Sequence, residues 1–170
     1  MSVNTIQCKT TSGGSEIPFS LDSGEKLAFR TTTARQTFSL QSCNNSNSST
    51  LKVKIAATDG HIYVTNKRLV YITGSQGDFD SFVVDFNHAS QIQFSHTLKC
   101  PWIGANYWEF MFFSPAEPIC DGLPKNDCFK GQIVFKDGGL YRFVEVLNVA
   151  INDIVNNSNI DDELPRYSEL

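Results

Sequence analysis

No apolar run in this 170-residue sequence approaches the roughly 18 residues a membrane-crossing helix needs. The first residues, MSVNTIQCKTTSGGSE, lack a basic start followed by an apolar stretch, so no secretory signal is read there. Charge of one sign is also missing. Fourteen Lys and Arg stand against 18 Asp and Glu, a net of −4. That balance argues against a global polyanion-binding surface and against direct nucleic-acid binding, and leaves room for a local basic patch. The five cysteines, Cys8, Cys43, Cys100, Cys120 and Cys128, are odd in number and irregularly spaced. Without a signal peptide they are expected as free thiols in a reducing compartment, and the sequons at Asn44, Asn47 and Asn156 as unmodified. His88, His96, Cys100, Cys120 and Cys128 show neither C-x-x-C nor H-x₃-H spacing, so no metal site and no cofactor is expected. There is no G-x-S-x-G, no P-loop and no carboxylate pair in an apolar setting. His96 and Cys100 lie four apart, but no third group is in evidence to orient them. A non-enzymatic protein is the reading.

What the chain does have is aromatic bulk: 13 Phe, 5 Tyr and 2 Trp. The densest pattern is GHIYVTNKRLVYIT, Gly60 to Thr73. Two arms of β-branched and aromatic residues flank Asn66-Lys67-Arg68, which predicts a β-hairpin. Such a hairpin is stable only under further strands or a helix. Candidate strands precede it in 24–40, as one or two segments, and at Leu51, Val53 and Ile55. Others follow at Ser81–Phe86, Ile92–Ser95, Trp108–Phe113 and Gly131–Lys136. Trp102 and Trp108 are expected in the core or at its rim, and Gly104–Tyr107 as a tight connection. After Asp137-Gly138-Gly139 the period changes. Leu140, Phe143, Leu147, Ala150 or Ile151, and Ile154 recur at three and four, predicting an amphipathic helix from about Leu140 to Asn156. Residues 1–18 read as a flexible leader, 19–157 as one domain, and 158–170 as an acidic, disordered tail. Residues 41–50 and 114–128 read as loops.

The hairpin Gly60-x-Ile62-Tyr63-Val64-Thr65-x-x-Arg68-Leu69-Val70-Tyr71-Ile72 resembles the GRAM domain. Ser81-Phe82, Gly104-Ala105-Asn106-Tyr107 and Phe135-Lys136-Asp137-Gly138-Gly139 running into a helix narrow the resemblance to the WW-domain-binding protein 2 family, over about Gly24 to Asn156. The resemblance implies a mainly β fold with a C-terminal helix. That would be a pleckstrin-homology-like barrel of about seven antiparallel strands, capped by the helix. It also implies an adaptor. The long proline-rich tail and P-P-x-Y motifs of that family are missing here.

In their place stands Leu164-Pro165-Arg166-Tyr167, an L-P-x-Y variant. A proline pre-set near polyproline II and a tyrosine two residues on suit the aromatic groove of a WW domain. Leu164, Pro165 and Tyr167 are therefore the first candidate site, and the resemblance names a HECT-type ubiquitin ligase as the WW-domain partner. Lys52, Lys54 and Lys67 are the second candidate. If the strand and the hairpin turn lie side by side, they form a patch for a membrane phosphoinositide headgroup. The expected function is a cytoplasmic adaptor, with the nucleus as a further compartment. The alternatives are a peripheral phosphoinositide-binding module and a transcriptional co-regulator.

Overall fold

Residues 1–8, 17–43 and 52–157 are described by the computed structural model. Ten strands precede one helix in chain order: β1 (Ser2–Val3), β2 (Leu27–Arg30), β3 (Gln36–Ser42), β4 (Lys54–Ala57), β5 (Gly60–Thr65), β6 (Arg68–Thr73), β7 (Ser81–Asp85), β8 (Ser95–Lys99), β9 (Tyr107–Ser114), β10 (Asp127–Phe135) and α1 (Leu140–Asn157). A 3₁₀ turn, Phe86–His88, follows β7. The strands make two five-stranded antiparallel sheets. One runs β1-β7-β6-β5-β2 and the other β4-β3-β10-β9-β8. The expected hairpin is β5–β6, registered from Gly60 opposite Thr73 to Val64 opposite Leu69.

Side-chain alternation decides what faces inward. Along β10 every second residue is buried, so Phe129, Ile133 and Phe135 point into the core with Gly131 between them. Phe38 and Leu40 of β3 and Trp108, Phe110 and Phe112 of β9 join them. The other sheet contributes Ile62, Val64, Leu69, Tyr71, Phe82 and Val84. The hairpin arms read as continuous apolar runs because their second face is covered too. Tyr63, Val70 and Val83 pack outside that sheet under Phe19, Ile6 and Ile17. Helix α1 closes the open corner between the sheets. Its Phe143 meets Phe29 on one side and Trp108 and Phe135 on the other.

Several expectations need correction. Among the described residues there are ten strands where about seven were expected, within the same mainly β fold. The described part of the leader is not loose: Ser2 and Val3 pair with Val83 and Phe82, and Met1 is only 3% exposed. A short apolar anchor inside polar sequence carries too little periodicity to be read. Ile92–Ser95 is not a strand; its place is taken by turns with Gln93 at positive φ, and pairing starts at Ser95. Trp108 is fully buried as expected, whereas Trp102 is 100% exposed.

Gly131 sits opposite Phe110 in the β9–β10 register. A Cβ at that position would lie 2.1 to 2.6 Å from three atoms of the Phe110 ring. The ring occupies the space a side chain would take. Gly131→Val is therefore expected to cost about 1–3 kcal/mol by overpacking, measured by denaturant unfolding. Gly131→Ala with Phe110→Leu is expected to lose less than the two single changes added together.

Candidate functional site

Lys67 sits in the β5–β6 turn and Arg68 opens β6, where it is committed to the fold. Its guanidinium Nε and Nη2 donate to the Glu25 carboxylate at 2.8 and 2.9 Å, and Nη2 also donates to Ser20 O. The Thr65 hydroxyl and the Asp22 N–H complete the shell around Glu25, whose side chain has no exposure. Arg68 also lies over the Phe19 ring at 5.3 Å. Burial alone would raise the Glu25 pKa. The hydrogen bonds from Arg68, Asp22 and Thr65 outweigh it and hold the carboxyl below its usual range. This bidentate pair pins the segment around residues 19–25 across the sheet.

Lys67 donates from Nζ to Ser23 O at 2.7 Å. It lines a cleft of about 480 Å³ together with Arg68, His88 and three carboxylates, Asp22, Asp85 and Asp121. His88 is itself 3.6 Å from Asp85. The mixed charge does not favour an anion there. Lys52 and Lys54 are exposed at the β4 edge of the other sheet. Across that sheet Lys54 is followed by Gln41 and Lys130, and Lys130 is paired with Glu109 at 2.9 Å. Lys54 thus begins an edge strand of one sheet, with Lys52 just before it, and Lys67 lies in a turn of the other. Leu164, Pro165 and Tyr167 lie outside the described residues.

Among the described residues no three His, Cys, Asp or Glu side chains gather as a metal site. His96 accepts a hydrogen bond from Trp108 Nε1 at its Nδ1, 3.3 Å away, and burial lowers its pKa. Cys100 is exposed, whereas Cys128 stands directly across from Cys43 with their sulfurs 3.1 Å apart. Cys43 N donates to Cys128 O at 2.7 Å, so the β3–β10 ladder itself brings these thiols together. Burial raises the Cys43 pKa, and the hydrogen bond from Cys128 adds to it.

Sequence reasoning placed a tight connection at Gly104–Tyr107 and missed the exposed apolar tip just before it, between β8 and β9. Trp102 is 100% and Ile103 89% exposed at that tip, and Gly104 follows at φ +112°. The base is held, since Lys99 pairs with Tyr107 and Asn106 Nδ2 donates to Tyr141 Oη at 3.1 Å. A signal was available: Pro101 and Gly104 bracket the two apolar residues as turn formers.

No family model matches the sequence, and no curated protein matches it either. Among solved structures the chain is similar to the Vps36 N-terminal PH domain, at 16% identity and a TM-score of 0.53. That likeness covers 88% of this chain and 93% of the other. The fold is pleckstrin-homology-like. A chain of the 8S snRNP assembly intermediate also aligns, at 9% identity, over 74% of this chain and 82% of its own, with a TM-score of 0.48. Neither comparison extends to the GRAM or WW-domain-binding protein 2 family.

The fold holds both Glu25 and His96 deprotonated, so each contributes stability above its unfolded pKa and loses it on acidification. Loss is expected to begin below about 6.5 for His96 and to continue below about 4.3 for Glu25. Stability measured against pH should lose its upper step in His96→Gln. Arg68→Ala, which strands Glu25, is expected to cost about 3–5 kcal/mol at pH 7 and to flatten the lower step. Diamide is expected to join Cys43 to Cys128, each thiol giving up a proton and one electron to the azo reagent. Peptide mapping by mass spectrometry reads the link, and the raised Cys43 pKa makes the reaction faster at alkaline pH.

Proposed function

We propose that this chain is a non-catalytic adaptor that recruits a WW-domain protein, a HECT-type ubiquitin ligase by the motif resemblance, through Leu164-Pro165-Arg166-Tyr167. The observation that carries this reading is the position of the motif. The last element among the described residues, α1, ends at Asn157, and Leu164 follows seven positions later in the sequence. A WW groove reads an extended peptide, so the ligand has to lie beyond the packed elements. Asp161, Asp162 and Glu163 precede it and supply charge for a basic groove. The pleckstrin-homology-like body is a scaffold of the kind that binds lipid or protein. The headgroup reading at Lys52, Lys54 and Lys67 has less behind it, because those lysines are divided between two sheets and Lys67 is tethered to Ser23.

A WW-domain array probed with the full chain is the test. Wild type is expected to be retained on a subset of domains, and Tyr167→Ala to lose about tenfold or more in affinity, since removing a buried aromatic anchor costs upwards of 1.4 kcal/mol. Equal retention of the two proteins, or none of the wild type, overturns the reading.

A further inference from the structure

The β8–β9 tip presents the largest apolar side chain a protein can carry with none of it covered. Trp102 is 100% exposed, Ile103 beside it 89%, and Pro101 precedes them. Isolated exposed apolar residues are ordinary on protein surfaces. Here a tryptophan and an isoleucine are adjacent at the apex of a loop, and the loop has a fixed base. The Lys99–Tyr107 pair and the Asn106–Tyr141 hydrogen bond define that base. From the tip, we infer that this protein docks on a lipid surface by inserting Trp102 and Ile103 into the interfacial layer of a bilayer.

Three features of the molecule favour a bilayer over a protein partner. The first is shape. The tip is convex, and a protein would need a matching pocket to cover every side of Trp102, whereas lipid chains close around any contour. The second is charge. The nine residues from Lys99 to Tyr107 include no Asp or Glu, in a chain with 18 acidic residues, and the one charge among them is positive. Arg142 adds a second cation on the first turn of α1, although Arg142 and Lys99 are both partnered by carboxylates, Glu145 and Glu109. Apolar insertion rather than headgroup capture is therefore the leading contribution. The third is the aromatic collar. Tyr107 and the 63% exposed Tyr141 stand at the loop base, where a ring with a polar end sits at headgroup level while Trp102 goes deeper.

The tail motif plays no part in this inference, so the two stand or fall separately. The protein carries its own probe. Its two tryptophans differ completely in exposure, Trp102 open and Trp108 fully buried. Titration with phosphatidylcholine–phosphatidylserine vesicles is expected to shift Trp emission to the blue, and lipids brominated along the acyl chain are expected to quench it. In Trp102→Ala the remaining Trp108 signal should change in neither experiment. Trp102→Ala/Ile103→Ala is expected to weaken vesicle flotation about tenfold or more, from the apolar area withheld from lipid. Trp102→Phe should keep a good part of it. Because both side chains are outside the core, near-UV circular dichroism of the core aromatics verifies that the variants are folded. Vesicle binding unchanged by the double substitution overturns the inference. So does binding that requires a phosphoinositide and ignores the tip, and so does no binding by the wild type.

Discussion

Phe38 is the point at which the two sheets are joined, and the fold depends on what surrounds it. Its ring lies 4.9 to 6.0 Å from the rings of Tyr71, Phe79, Phe82 and Phe110. Two of these contacts reach across the sandwich to β6 and β7, one to β9 in its own sheet, and one to the loop after β6. A ring cluster of this size fills the interlayer space of roughly 10 Å that facing sheets leave. It also makes the interior intolerant of extra atoms. Gly131 under the Phe110 ring and Gly60 under the Tyr71 ring are places where the backbone has given up a side chain to make room. Tyr71 then spends its hydroxyl on Gln36 O, so its polar end is satisfied inside the core.

Where a strand has one buried face or two, the sequence announces it. The hairpin, β3, β9 and α1 were readable because their apolar residues recur at the period of the element. Strands β1 and β8 were not. Ser2–Val3 is too short to show a period, and Ser-His-Thr-Leu-Lys is a mainly polar edge strand whose pairing is imposed by β9. The buried Glu25 was equally invisible. A glutamate in Ser-Gly-Glu-Lys reads as solvated until Arg68, 43 residues away, is placed against it.

The candidate sites divide along the same line. Whether Lys52, Lys54 and Lys67 form one patch depends on which sheet each segment joins, and alternation within a strand carries no information about that. The same holds for Cys43 and Cys128, which look unrelated at a separation of 85 residues and are opposite one another in the ladder. Trp102 shows the opposite failure. Apolar character points to the core or its rim, but that rule runs one way: cores are apolar, while apolar residues are not always in cores. Its neighbours Pro101 and Gly104 were better guides than its own side chain.

The geometry of α1 bears on whether a lipid contact and a peptide contact could be used together. Tyr141, in the first turn, touches the base of the Trp102 loop through Asn106. The helix is 18 residues long, so its last residue, Asn157, lies about 25 Å from that end at 1.5 Å per residue. Chain beyond Asn157 therefore starts on the far side of the helix from the tip. A bilayer engaged at Trp102 thus meets the opposite end of the helix from Asn157. Each contact by itself is small, one loop or one short peptide. On a membrane that also held a WW-domain protein, the first contact would confine the second to a surface, and local concentration would do what neither contact area can.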